Sequence, residues 1–478
     1  MRDLTRESDV VSISPVVTPI PFRDPAAAFA PFAGEAMAVL LDSALVGPRA
    51  RFSYIATDPV RTIRCTSHPW IVTVDGLARA ADPFATVKAE LAGFSANADN
   101  YQGSGPAPFL GGAVGFFSYE LGGVLEPAQP PKDKPWPVDM VIGIYDTIAA
   151  FDLERKHAWV IAHDLPGVGG RRPAATRADA LARDLGTAVL PAPQGTREGR
   201  WRAETPRAVH EMRVGATIEA IQSGDIYQAN ISQRFLADIP EGISSFDLYL
   251  RLRSTTPAPF AAFINAGDGL QILSASPERF LKLDPDGNVE TRPIKGTRPR
   301  GKNAADDQRL AAELLASTKD RAENLMIVDL LRNDLARVCT PGSIKVPVLC
   351  GLETFPNVHH LVSVVTGRLR AGITSTDLLC ATFPGGSVTG APKIKAMEVI
   401  RGLEPTARGP YCGTIAWLGF DGAMDSSIVI RTLVPNGRSL VAQAGGGIVA
   451  ESDPAQEYEE SLAKVRPLLG IFGNGVVA

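Results

Sequence analysis

Cysteine is scarce here: five in 478 residues, at Cys65, Cys339, Cys350, Cys380 and Cys412, an odd number with no CxxC pair. That spacing argues against a disulfide framework and against a cysteine-based zinc or redox centre. Reduced thiols in the cytoplasm are the expectation. Long apolar runs are also missing: no uncharged stretch approaches the roughly 20 residues that cross a bilayer, and the opening MRDLTRESDVVSISP has no apolar core of signal type. No membrane partner is expected. Charge of one sign is equally lacking, with 48 Lys and Arg against 52 Asp and Glu and a net charge of −4. Such a chain has no field suited to nucleic acid or to an anionic membrane, so its arginines need local explanations. Small anionic substrates fit better.

What is present is ample apolar material. At 45% hydrophobic and 21% charged, the chain can bury a large core and build two or more domains. From about Met37 to Phe151, short runs such as MAVLLDSA, RFSYIA, WIVTVDG, GGAVGFFSYE and VIGIYDTIAAFD alternate with Gly and Pro, which predicts antiparallel strands. ATRADALARDLG reads as a helix and LPAPQGTREGR as a linker, placing the main break near residue 200, with one unit over 1–200 and a second over 201–475. In the second unit, Thr205 and Pro206 predict a helix N-cap and first position, with Val214, Ile218 and Ile221 on one face. IYQANISQRF, QILSAS and ERFLKL read as strands, followed by a loop carrying Lys295. Helices are predicted over 306–317, 319–338 and 391–403, and a strand over 360–366. Because regular helical crossovers do not separate the strands, the class is α+β with large antiparallel sheets.

Several residues point to chemistry. Lys295 lies in RPIKGTRPR, where neighbouring arginines disfavour the ammonium; it is either a solvated lysine of a basic turn or an amine poised as a nucleophile. Asp453 and Pro454 open a last helix on which Glu457, Glu460 and Lys464 share a face. The preceding Gly445, Gly446 and Gly447 read as a glycine run before a helix N-terminus, where backbone N–H groups approach an anion, or as a tight turn. Glu323 shares an apolar stripe with Ile327, Leu330 and Asp334, so its carboxylate must be paired or bind a metal. FPGGSVTGAPK fails the GK[ST] test of a phosphate loop and reads as a glycine-bounded turn into a helix. Arg431 interrupts an apolar β-type run, as an edge residue or a carboxylate clamp. His359 and His360 should face opposite sides of a strand.

RPIKGTRPR, PGGSVTGAPK, SASPERF, NVHHLVS and DPAQEYEESLAK together resemble the chorismate-utilising enzymes over roughly residues 35 to 470. Within them the lysine of PIKGTRPR resembles the aminodeoxychorismate synthase component I branch, whereas anthranilate synthase large subunits carry alanine there. The resemblance implies a layered sandwich of mainly antiparallel sheets flanked by helices, with an anthranilate-synthase-like N-terminal unit and a catalytic chorismate-binding unit. It implies Lys295, Glu278 and His360 as catalytic, Ser387, Tyr411, Arg431, Gly445, Gly446, Gly447, Lys464 and Thr297 as substrate-binding, and Glu323, Glu460 and Glu457 as Mg²⁺ ligands. It further implies a tryptophan pocket at Leu40, Ser43, Pro257 and Phe260, although Phe260 and Ala261 replace the Tyr-Met of feedback-regulated relatives. The expected reaction joins chorismate and ammonia to give 4-amino-4-deoxychorismate for 4-aminobenzoate and folate synthesis. No glutaminase machinery is legible, so a separate glutamine amidotransferase subunit should supply the ammonia. The rival readings are an anthranilate synthase large subunit and a noncatalytic chorismate-binding subunit.

Overall fold

The computed structural model describes residues 15–47, 49–67, 69–79, 81–94, 106–125, 133–187, 189, 199–355 and 358–472. The linker expected at Leu190–Arg200 lies, for residues 190–198, outside the described residues.

Period-two apolar patterning produces two twelve-stranded sheets. The first runs from Val16–Ile20 through His157–Ala162, Thr147–Asp152, Phe52–Ala56, Val39–Asp42, Phe260–Asn265, Gln271–Ser276, Thr432–Asn436, Ser439–Ile448 and Gln228–Asp238 to Trp201–Ala203. The second runs from Ile294–Pro299 through Val358–Arg368, Asn288–Thr291, Arg279–Leu283, Met424–Ile428, Thr414–Gly419, Gly112–Phe117, Met140–Tyr145, Arg61–Thr66 and Ile71–Val74 to Leu77–Arg79. Both cross the sequence boundary at residue 200: Val39–Asp42 pairs antiparallel with Phe260–Asn265, and Gly112–Phe117 with Thr414–Gly419.

Alternation along each strand sorts side chains into layers. Val39, Tyr54, Ile272 and Val434 of the first sheet meet Val114, Phe116, Val141 and Ile415 of the second in a buried apolar core between the sheets. On the outer face of the first sheet, Leu40, Phe263 and Leu273 pack under Phe29, Tyr249, Leu252 and Leu468 from the helices. Phe263 alone has ring neighbours at 5.4 to 5.7 Å in Phe246, Phe29 and Tyr249, and burying a side chain of this size contributes about 1.5–3 kcal/mol. The second sheet is covered likewise by Phe84, Val328, Leu335, Leu379 and Met397. The result is helix on sheet on sheet on helix, the α+β sandwich expected from the sequence.

The predicted strands and helices of both halves form, with bounds moved by a residue or two: Ala304–Ala316, Thr318–Ala336, Lys393–Leu403 and Val358–Arg368. Two local readings are corrected. The helix expected to be capped by Thr205 is Arg207–Gln222, with Pro206 at the cap and no side-chain cap; the Thr205 hydroxyl instead accepts from Arg213 Nη1 at 3.3 Å. The segment of Lys295 is a strand, Ile294–Pro299, not a loop.

Candidate active site

The chain changes sheet twice beside one point. Gln271–Ser276 belongs to the first sheet and Arg279–Leu283 to the second, and Glu278 lies in the passage between them. Met424–Ile428 belongs to the second sheet and Thr432–Asn436 to the first, and Arg431 lies in that passage with φ 51°, a left-handed conformation uncommon for a non-glycine residue. The two passages are stitched together: Ser276 Oγ donates to the Ile428 carbonyl at 2.6 Å, and Ile428 N–H to the Glu278 carbonyl at 3.1 Å. Arg431 is therefore neither an edge-strand residue nor part of a continuous run. Its guanidinium makes no hydrogen bond or ion pair among the described residues, and Glu278 is the acid acting on it.

Glu278 is only 6% exposed. Burial pushes its carboxyl up to about 7, while the Ser387 hydroxyl, the Lys295 amine, the Ile294 N–H and Arg431 pull the other way. Opposite it, Lys295 Nζ donates to the Ser387 carbonyl at 3.3 Å. The amine is held below the ordinary lysine range, by burial first and Lys464 in addition, against the pull of Glu323, Glu278 and Glu460. The cause expected from the sequence, flanking arginine charge, is corrected. Arg292 pairs with Glu353 at 2.6 Å, Arg298 with Glu313 at 2.9 Å and Arg300 with Asp307 at 2.7 Å, so each guanidinium is compensated locally.

Gly296, at φ 82°, lies where the pairing of Ile294–Pro299 with Val358–Arg368 shifts register, a bulge that re-aims neighbouring side chains. Beyond it Thr297 stands opposite His360 and Arg298 opposite His359. The histidines divide as a strand requires. His360 Nδ1 lies 2.9 Å from Thr297 Oγ1, whereas His359 bonds Thr354 and Asp307, each at 2.9 Å. Burial, with Arg431 and Arg49, lowers His360 to about 4, so its imidazole is neutral at physiological pH.

Ser387 lies in the short turn Gly386–Val388, and its carbonyl and that of Thr389, the residue after the turn, accept from Asn230 Nδ2 at 3.3 and 3.2 Å. Tyr411 lies 5.9 Å from the Arg408 guanidinium, its phenol pushed upward by burial. Gly445, Gly446 and Gly447 are corrected: they belong to the strand Ser439–Ile448, paired with Asn230–Ser232, and the helix begins only at Pro454. They form no anion-binding helix approach. Their use is room, because a Cβ on Gly446 would meet Glu457 Oε2 at 2.8 Å and Glu460 Oε1 at 3.6 Å, and one on Gly447 would meet Gln228 Nε2 at 2.4 Å.

The last helix forms as read, with Asp453 Oδ1 accepting from Gln456 N–H at 2.9 Å, and it carries Glu457, Glu460 and Lys464 beside Gly446. Lys464 Nζ bonds Glu460 at 2.7 Å and the Gly445 carbonyl at 3.0 Å. Among the described residues no three His, Cys, Asp or Glu side chains are gathered closely enough to hold a metal by themselves. Two observations nevertheless fit a cation that keeps waters and takes few protein ligands. Glu457 Oε2 is buried with no hydrogen-bond partner among the described residues, and Glu460 presses on both Glu323 and Glu457, whose carboxyls are raised, first by burial. Lys319, absent from the sequence reading, lies 3.7 Å from Glu457 and 4.0 Å from Glu323. Its i, i+4 spacing to Glu323 was the available signal; Asn230 and Arg408 offered none, since their contacts are distant in sequence.

Ser43 and Phe260 line a separate cavity of about 240 Å³. Leu40 is corrected: it faces the outer core under the helices, and Leu41 takes the cavity side by strand alternation. Pro259 lines the cavity and Pro257 does not.

Comparison with known proteins matches this chain to a family. Residues 42–470 match the family described as chorismate binding enzyme. The chain is 41% identical to aminodeoxychorismate synthase component 1 of Salmonella typhimurium, covering 97% of this chain and 99% of the relative. It is 38% identical to anthranilate synthase component 1 of Thermus thermophilus, covering 90% and 91%. The crystal structure of anthranilate synthase component I from Streptococcus pneumoniae superposes with a TM-score of 0.76 at 33% identity, covering 89% of this chain and 93% of that one. With the motifs gathered where the two sheets exchange strands and the match spanning nearly the whole chain, the protein belongs to the chorismate-binding enzyme family.

Proposed function

We propose that this protein is component I of an aminodeoxychorismate synthase, converting chorismate and ammonia to 4-amino-4-deoxychorismate. The observation that carries the reading is the pairing of Lys295 and Glu278 across Ser387: an amine biased toward its neutral form, facing a carboxyl biased toward its protonated form. That combination suits addition with departure of a hydroxyl. Lys295 Nζ adds at ring C2 with its electron pair, both ring double bonds shift, and the C4–O bond breaks. Glu278 gives its proton to the departing oxygen, forming water. Glu278, now a carboxylate, takes a proton from the secondary ammonium that the addition leaves on Lys295. Ammonia then attacks C4, Glu278 returns that proton to the Lys295 nitrogen as the shift reverses and the C2–N bond breaks, Lys295 leaves as a neutral amine, and the new C4 ammonium gives one proton back to Glu278. Arg431, which makes no hydrogen bond or ion pair among the described residues, would take a substrate carboxylate, and the resemblance assigns Tyr411, Lys464 and Gly447 to the same task. Neutral His360, oriented by Thr297, can act as a hydrogen-bonding group without adding charge.

Glu323, Glu460 and Glu457 would hold Mg²⁺, which when bound supplies charge to anchor the other carboxylate of the substrate. Relatives named component 1 belong to synthases with a further component, and we assign that role to a glutamine amidotransferase delivering ammonia in the cytoplasm. Among the described residues no helix is long and apolar enough to cross a membrane. Incubating the chain with chorismate, Mg²⁺ and ammonium, followed by mass spectrometry, tests the reading. Aminodeoxychorismate is expected; anthranilate with pyruvate, or no product, would replace it with one of the rivals. Glutamine in place of ammonium should give no product until the second subunit is added.

A further inference from the structure

Arg408 is 2% exposed and its counter-ion Glu404 7%. A buried ion pair is weak evidence for stability, because desolvation offsets its attraction, so the geometry around this one calls for another account. The fork of Arg408 spends two contacts on Glu404, Nε to Oε2 and Nη2 to Oε1, both at 2.8 Å. The remaining donors reach two backbone carbonyls, Val388 at 3.0 Å and Asn230 at 2.6 Å. Val388 follows Ser387, the residue between Lys295 and Glu278. Asn230 stands opposite Gly447 in the sheet, and its side chain holds the Ser387 and Thr389 carbonyls. The guanidinium also lies over Tyr119 at 4.6 Å and beside Tyr411 at 5.9 Å. Glu404 anchors the assembly to the same strand, its Oε1 accepting from Ser232 N–H and Oγ, both at 2.8 Å.

We propose that Arg408, clamped by Glu404, is a positioning residue that fixes the Ser387 turn against the glycine strand and so sets the distance between Lys295 and Glu278. The inference rests on the catalytic reading of those two residues. A planar five-donor fork satisfies two carboxylate oxygens and two divergent carbonyls at once; an ammonium cannot.

Arg408→Lys is the test, read by kcat, KM for chorismate and the pH profile of kcat. The expected result is a fall in kcat of about 10²-fold, since small misplacements of reacting groups have effects of that size, with a smaller change in KM. The limb due to Glu278 should move to higher pH, because a displaced Ser387 hydroxyl no longer favours the carboxylate. Leu185→Ala serves as control: it removes core packing on the helix Ala174–Thr187, at the opposite end of the first sheet, and should lower stability while leaving kcat and the pH limb unchanged. If Arg408→Lys merely behaves like Leu185→Ala, the positioning role is refuted. Should Arg408→Lys fail to fold, Glu404→Gln, which keeps shape and removes the clamping charge, is judged by the same two readouts. Glu278→Gln separates the two claims: full activity there overturns the catalytic reading, whereas loss of activity there with a wild-type Arg408→Lys enzyme overturns only this inference.

Discussion

Glu278→Gln should inactivate the enzyme and at the same time stabilise it at alkaline pH. The wild-type carboxyl is raised from the ordinary 4.5 to about 7, chiefly by burial. A raised acid binds its proton more tightly folded than unfolded, so its contribution is fully present below pH 4.5 and is lost as pH rises to about 7; above that the fold holds a buried carboxylate. At 1.36 kcal/mol per unit the difference is roughly 3 kcal/mol. Glutamine removes the charge while its carbonyl can still accept from the Ser387 hydroxyl and the Ile294 N–H. Its amide N–H₂ finds no designed acceptor, at a cost of about 1 kcal/mol, leaving a gain of about 2 kcal/mol at pH 8. For a chain of this length, with an unfolding entropy near 1 kcal/mol per kelvin, Tm should rise by about 2 °C. Melts of both proteins at pH 4.5, 6 and 8 give the comparison: the variant's advantage should be absent at pH 4.5 and grow through the window. Equal pH slopes for the two proteins would refute the buried, proton-holding carboxyl, and retained turnover would refute its acid role.

Lys295→Ala should abolish aminodeoxychorismate formation while leaving chorismate binding largely intact, as for a group acting in the reaction step; intact-mass analysis of the protein with chorismate should lose any lysine adduct, and a wild-type rate would leave Lys295 an electrostatic residue. Glu323→Gln or Glu460→Gln should weaken Mg²⁺ binding by about 10²-fold or more, measured by titration calorimetry on folded protein, and unchanged affinity in both would move the metal elsewhere. Gly446→Ala should have a similar consequence by a different route, because its methyl would stand 2.8 Å from Glu457 Oε2. Wild-type Mg²⁺ affinity and activity in that variant would show the space is not used. With subsaturating ammonium as nitrogen donor, activity should rise with pH as free ammonia increases, and a flat profile under those conditions would argue for another donor.

The sequence by itself determined whatever depends on near neighbours. Short apolar runs such as MAVLLDSA and RFSYIA between Gly and Pro placed strands, Asp453 and Pro454 placed the start of the last helix, and consecutive positions put His359 and His360 on opposite faces. Spacings of one to four residues fix these features, and a chain exposes them without folding. The same local view misassigned the glycine run, because it cannot know that Gly445–Gly447 finds a ladder partner in Asn230–Ser232. It also misjudged why the Lys295 amine is weakly basic, seeing adjacent arginines but neither the acids that neutralise them nor the burial that dominates. Tertiary structure alone decided the site: Lys295 meets the Ser387 carbonyl across 92 positions, Arg408 meets Asn230 across 178, and Glu278 and Arg431 converge because two strands change sheets at one place. Proton affinity and orientation depend on dielectric and distance in space, and only packing of the two sheets sets those.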